Sequence, residues 1–390
     1  MKWTNRGHQL DHVKSIYGEK TKIYIYGAGF YGADLYQRIN WLGNIDGFID
    51  RNVEKQQNGY LGEQVIAPEK ILQKVDEEHI IIVAMEKKAA EQVMRLLRTA
   101  GYIKALDCFY IEDFLDFYTY QQYAFFAADK LMISSVCIIP STVCNLKCKD
   151  CLNFSPYFKK HIIHDFTFVK RDIDTLFRWI DYTPRFQVSG GEPLLNKDLG
   201  RTLAYLDENY RNRIESIETV INGSIVPGDE LCRLMKEHRI KVYLDDYREN
   251  VPQLRETYTQ TVEKLEKYGV EWIDNYVPEW FSLDVEHTEH SNMTDLQLEN
   301  YFDNCGSPWN CLENERLYSC NFAHFAAKAG IIEETENDYF DLKDYSEVRK
   351  TELLEFLLKY TTKGYVDFCK KCAGWSEANC NKVKVAEQIE

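Results

Sequence analysis

The sequence predicts an α/β protein in three parts: an N-terminal parallel sheet, a central partial (β/α)6 barrel and a small, cysteine-rich α+β extension. Two observations carry this expectation. Apolar, strand-like runs alternate with stretches of helical period over most of the chain, the pattern of parallel βαβ units. Towards the end the alternation lapses and cysteines crowd in. The expected boundaries are 1–125, 126–296 and 297–390.

In the first part, Lys22 to Tyr26, Ile45 to Asp50 and His79 to Ala84 read as buried strands, with helices over Ala33–Trp41 and Lys87–Ala100. In the second, strands are expected at Met132–Ile139, Phe186–Val188, Ile217–Ile221, Lys241–Leu244 and Val270–Ile273. Helices over Asp172–Tyr182, Leu199–Tyr210, Glu230–His238 and Gln253–Tyr268 separate them. Reactive residues of such barrels gather on the loops that follow the strands. In the third, Glu313–Cys320 reads as a hairpin and Ser346–Tyr360 as a helix.

Hydrophobic residues make up 45% of the 390 and charged residues 28%, enough apolar material for packed cores and against disorder. The formal charge of −15 repels phosphate backbones and anionic lipid, so neither nucleic acid nor membrane is an expected partner. The longest apolar stretch, near Ile80 to Met85, is far too short to span a bilayer, and the first residues lack the apolar run of a signal peptide. A cytoplasmic location is the expectation. There the twelve cysteines argue for ligation rather than disulfides. Cys108, Cys137 and Cys232 are scattered and read as buried thiols; the rest fall in two clumps.

Cys144, Cys148 and Cys151 spell C-x3-C-x2-C directly after an expected strand. Three thiolates this close suit an iron–sulfur cube with one iron left open, although a zinc knot uses the same residues. Ser189-Gly190-Gly191-Glu192-Pro193 follows the next strand. Glycines let backbone approach a ligand closely, and a carboxylate suits an ammonium. In combination these motifs resemble the radical S-adenosylmethionine (SAM) superfamily over roughly residues 130–390. The resemblance implies a [4Fe–4S] cluster on the three cysteines, with SAM bound to the open iron. It implies contact of Gly190, Gly191, Glu192 and Pro193 with the methionine amino group. Thr219 to Gly223 resembles the family's third strand end, which brings Asn222 to SAM. Asp150 stands where many members carry an aromatic residue.

Cys305, Cys311, Cys320 and the pair Cys369-x-x-Cys372 resemble the SPASM and twitch extensions, which hold auxiliary clusters. The family's glycine is replaced here by Glu315, and six cysteines, with Cys380 counted, are too few for the two clusters of a full SPASM domain. The resemblance implies one auxiliary [4Fe–4S] cluster on Cys320, Cys369 and Cys372, with Cys305 or Cys311 as fourth ligand. A four-thiolate zinc site is the alternative.

Gly27-x-Gly29-x-x-Gly32 follows a strand and opens a helix, and Asp50 ends the next strand, a Rossmann-like signature. It reads either as a nucleotide or nucleotide-sugar site or as a tight turn kept for packing. Asp246 and Tyr247 end a barrel strand and are the expected catalytic pair, with a solvated strand end as the bland alternative. The resemblance then implies an enzyme that cleaves SAM reductively to a 5′-deoxyadenosyl radical. That radical would abstract hydrogen from a polar small molecule, a sugar or nucleotide sugar first. The outcome would be oxidation, epimerisation or elimination, with flavodoxin or ferredoxin as electron donor. The alternatives are a maturase of a ribosomally made peptide and a zinc-stabilised nucleotide-binding scaffold.

Overall fold

A computed structural model describes residues 1–18, 21–72, 78–307 and 309–389. The chain divides into two compact units, Gly7–Met132 and a larger one made of Ile133–Glu390 together with Met1–Arg6.

The smaller unit is a five-stranded parallel sheet. Its strands are β1 (Lys22–Tyr26), β2 (Ile45–Ile49), β3 (Val65–Ile66), β4 (His79–Val83) and β5 (Cys108–Tyr110), in the order β3-β2-β1-β4-β5. β4 is buried at every residue, which is why its sequence is an unbroken apolar run rather than an alternation. Helix Lys87–Thr99 buries Ala90, Val93, Met94 and Leu97, the i, i+3, i+4, i+7 stripe that the sequence shows.

In the larger unit, β6 (Val136–Ile138), β7 (Thr183–Val188), β8 (Ile214–Ile221), β9 (Lys241–Asp245) and β10 (Glu271–Asn275) pair in parallel with their neighbours in sequence. Helices Phe166–Trp179, Leu199–Tyr210, Asp229–Glu237 and Arg255–Tyr268 connect them. β11 (Glu279–Phe281) leaves this sheet. The sixth parallel strand is β12 (Asn310–Glu313), and it lies at the opposite edge, beside β6. β13 (Arg316–Tyr318) and β14 (Tyr339–Asp341) extend that edge antiparallel, giving an open sheet of eight strands. β11 pairs instead with β15 (Lys382–Lys384). The fold is therefore the expected α/β class, with an open partial barrel completed from the cysteine-rich extension.

The hairpin β12–β13 turns at Asn314 and Glu315, both left-handed at φ 55° and 56°, the twist a two-residue hairpin needs. Buried Asp172 accepts both turn amides, at 2.7 and 2.9 Å, and so ties the extension to the first barrel helix. Residues 1–6 belong to the same unit. Trp3 Nε1 donates to Glu355 at 2.8 Å and Arg6 pairs with Glu352 at 2.8 Å. Among the described residues no helix is long and apolar enough to cross a membrane.

Candidate active site

Parallel strands point their C-terminal ends at one edge, and the loops there line a cleft of about 540 Å³. Cys144, Cys148 and Cys151 come from the loop after β6, Gly190 and Gly191 from the loop after β7, and Asn222 from the end of β8. Asp245 and Tyr247 come from the end of β9.

The three thiols are electrostatic neighbours. Burial, helped by the charge of Cys151, pushes Cys144 up to about 11; burial, helped by Cys151 and Cys144, pushes Cys148 up to about 12. Burial raises Cys151 as well. Donors oppose this at every sulfur. Cys144 accepts from Leu146 N–H at 3.4 Å and from Asn222 Nδ2 at 3.7 Å. Cys148 accepts from Gln388 Nε2 at 3.3 Å, and the backbone N–H groups of Asn153, Phe154 and Ser155 turn towards Cys151. Such a set takes up its anionic form only with a positively charged centre, which deprotonates coordinating thiols outright. Among the described residues no three His, Cys, Asp or Glu side chains close tightly around a single ion. The donor set, its N–H donors and the open cleft fit a cysteine-held iron–sulfur cluster.

The glycine loop holds this arrangement together. Gly191 N–H donates to Ser141 C=O at 2.9 Å and Glu192 N–H to Val143 C=O at 2.8 Å, so the loop lies flat against the strand that enters the cysteine loop. A Cβ on Gly191 would sit 2.4 Å from the Val143 oxygen, and one on Gly190 2.9 Å from that of Ser141. Glycine is required here by backbone contact. Glu192 is buried behind the loop, not in the cleft wall, and accepts from Leu194 N–H and Asn222 N–H, both at 2.9 Å. Burial pushes its carboxyl up to about 7. Pro193 starts the short turn that Glu192 caps.

Of the expected catalytic pair, only Tyr247 lines the cleft, and its hydroxyl donates to Asp245 at 2.6 Å. Asp246 faces away and is held by Arg248 at 2.7 and 2.8 Å. Successive side chains alternate at a strand end, so Asp245 and Tyr247 share the inner face. Asp245 also accepts from Asn275 Nδ2 at 2.5 Å, and burial pushes its carboxyl up to about 6. The remaining wall includes Trp280, Trp309 and Trp375, and the Arg185 guanidinium lies 4.5 Å from the Trp309 ring. Arg185 is fixed by two bonds to buried Glu218, at 3.0 and 2.8 Å. Of these wall residues only Trp280, in the aromatic loop Tyr276–Phe281, is marked in the sequence as able to line a pocket; the strand-end position is the signal for Asp245.

A second cysteine set forms in the extension. Cys320, Cys369 and Cys372 are raised by burial first, and the charges of neighbouring thiols, Cys305 among them, raise them further. Cys320 accepts from Ala323 N–H at 3.4 Å and Cys372 from Gly374 N–H at 3.3 Å. Cys311 lies apart, on β12, its thiol against Cys137 of β6. Asn321, Phe322 and Trp375, close in sequence to this quartet, form the far wall of the cleft.

In the smaller unit the glycine turn is closed on itself. Asp50 accepts from Ala28 N–H at 2.9 Å and from Asn52 N–H at 2.9 Å, and Lys55 donates to the Ala28 carbonyl. Gly27 has φ +119° and its Cβ position lies 2.5 Å from the Ala84 oxygen; that of Gly32 lies 1.9 Å from the Gly27 oxygen. Gly29 meets nothing within 4 Å. Asp50 thus occupies the Ala28 amide of the turn.

Residues 138–278 match the family model described as the radical SAM superfamily. No curated protein matches the chain. Solved structures match distantly. BtrN in complex with AdoMet and 2-DOIA aligns with TM-score 0.41 and 16% identity over 64% of this chain and 97% of that one. The anSMEcpe structure with bound AdoMet and Kp18Cys peptide aligns with TM-score 0.39 and 16% identity over 65% and 93%. SuiB of Streptococcus suis aligns with TM-score 0.32 and 12% identity over 70% and 53%. The matched segment spans the three-cysteine loop, the Gly-Gly-Glu-Pro loop and the strand ends around them, and by it the chain carries a domain of the radical SAM superfamily.

Proposed function

We propose that the protein is a radical SAM enzyme acting on a polar small molecule, a sugar or nucleotide sugar, bound in the cleft between the cysteine loop and the quartet. The convergence of Cys144, Cys148, Cys151, Gly190, Gly191 and Asn222 on one cleft supports it most. Cys144, Cys148 and Cys151 would hold a [4Fe–4S] cluster, which when bound would supply the one-electron chemistry for reductive SAM cleavage and hydrogen abstraction.

The chain's own part is binding, orientation and exclusion of water. The flat backbone at Gly190 and Gly191 leaves room for the methionine end of SAM. Asn222 braces Cys144 and, through Asn145 at 3.2 Å, the start of the loop. Trp280, Trp309 and Trp375 offer flat apolar faces to the C–H face of a sugar ring, and Arg185, Asn275 and Asn321 orient its hydroxyls. Asp245, holding the Tyr247 hydroxyl, can accept or return a proton near neutral pH. Cys305, Cys320, Cys369 and Cys372 would hold an auxiliary cluster, which could supply an electron acceptor for an oxidation. Reduction comes from a small one-electron carrier such as flavodoxin or ferredoxin.

The test is deuterium transfer. Reconstituted protein with SAM and reductant is offered carbon-deuterated hexoses or nucleoside-diphosphate hexoses, and 5′-deoxyadenosine is analysed by mass. Deuterium in it supports the sugar assignment. Deuterium arriving only from labelled peptides would establish a peptide maturase instead, and bound zinc without SAM cleavage a scaffold.

A further inference from the structure

The segment beyond the quartet returns to the cysteine loop. After β15, Lys149 N–H donates to Glu387 C=O at 2.7 Å and Ile389 N–H to Lys147 C=O at 2.8 Å. Cys148 and Gln388 therefore face each other across a short antiparallel bridge. The Gln388 side chain folds into it. Its Oε1 accepts from Lys147 N–H at 2.8 Å, and its Nε2 donates to Ala386 C=O at 2.7 Å and to Cys148 Sγ at 3.3 Å. These partners fix the amide's orientation, because a backbone N–H only donates and a carbonyl only accepts. The nitrogen must face the sulfur. Val385 and Ala386 pack with Val251 and Leu254 around Cys148, leaving it 7% exposed.

We infer that Gln388 is a positioning residue for the cluster on Cys144, Cys148 and Cys151, holding Cys148 in place and raising the ease with which that cluster is reduced. The inference rests on the function proposed above. Its physical basis is that a hydrogen bond to a cluster sulfur strengthens as the cluster gains negative charge, so it favours the reduced state. At Cys144 the short donor is a backbone N–H of the same loop, and at Cys151 the backbone donors are likewise local. At Cys148 the donor is a side chain 240 residues away in sequence. The segment whose Val385 and Ala386 cover Cys148 therefore also carries the donor that tunes its potential, which couples the order of the 385–389 segment to the first electron transfer.

The experiment uses the full chain, reconstituted anaerobically, with Gln388→Met and Gln388→Glu variants. Gln388→Met keeps the length and loses the donor; Gln388→Glu places an anion beside the sulfur. With iron retained, EPR-monitored titration should show reduction of the SAM-type cluster up to about tenfold less favourable in Gln388→Met, about 59 mV lower for one electron, and at least as much in Gln388→Glu. An unchanged potential in both variants overturns the inference. Should both lose iron, the wild-type protein with 15N in its glutamine side-chain amides decides. Pulsed EPR of the reduced cluster should show a weak 15N coupling, and its absence overturns the inference. A wild-type protein with no cubane signal at all overturns the proposed function instead.

Discussion

The two cysteine sets of the larger unit are built in opposite ways. Cys144, Cys148 and Cys151 lie within eight residues on one loop and line an open cleft. Cys305, Cys320, Cys369 and Cys372 come from segments up to 67 residues apart and stay out of that cleft wall. The local set is assembled by a loop whose shape depends on neighbours: the glycine loop after β7, Asn222, and the bridge to Gln388. The distant set is assembled by the fold itself, because the hairpin, helix Asn321–Lys328 and the turn at Asp367–Lys371 must all be in place before Cys320, Cys369 and Cys372 share one core. A three-thiol ligand set leaves one position open for chemistry, whereas the four-thiol set proposed for the quartet would leave none.

Breaking each set should therefore have different consequences. Cys148→Ala is expected to cut 5′-deoxyadenosine formation by at least about a hundredfold, more than second-layer changes at metal sites usually cost, while iron in the quartet remains. Cys372→Ala should lose about half the bound iron, the share of one of two cubanes, and lower the thermal midpoint of the larger unit. Cys311→Ser, next to Cys137, should leave iron content unchanged; loss of iron there would return Cys311 to the ligand set.

The supports of the open loop come next. Gly191→Ala forces a methyl group against the Val143 oxygen and should destabilise the protein by about 3 kcal/mol, measured by denaturant unfolding. Asp245 gives a pH signature in the metal-free protein. Its folded carboxyl, up at about 6 against an ordinary 3.8, binds its proton more tightly than the unfolded chain does. Stability carried by this group is therefore full below the ordinary value and is lost as pH rises to about 6, by at most about 3 kcal/mol. Asp245→Asn should flatten that slope between pH 4 and 7. Asp246→Asn, which removes a partly exposed ion pair with Arg248, should change stability by less than about 1 kcal/mol and leave activity near wild type.

Much of this was legible because it is local. Apolar runs marked the strands β1, β2, β4 and β6 to β10, period-3.6 patterns marked their helices, and Leu199–Tyr210 falls where its pattern puts it. The C-x3-C-x2-C and Gly-Gly-Glu-Pro motifs marked one loop each, and both loops line or back the same cleft. What escaped depends on contacts distant in sequence. Nothing in Asn310–Glu313 says that it pairs with β6 rather than following β10. Spacing left Cys305 and Cys311 equal, and only the strand pairing carries Cys311 away to Cys137. Asp245 was passed over for Asp246 because a run of two acids at a strand end does not reveal which one faces in. Asp50 was noticed as the acid after β2, but its bond to Ala28 N–H, which fills the turn, is a tertiary contact.

The most direct test is to reconstitute the wild-type protein anaerobically, quantify iron and sulfide per chain, and measure dithionite-driven conversion of SAM to 5′-deoxyadenosine. About eight irons and as many sulfides, with SAM cleavage that disappears in Cys148→Ala, is the expected result. An iron-free protein that binds zinc and leaves SAM intact would contradict the account at its centre.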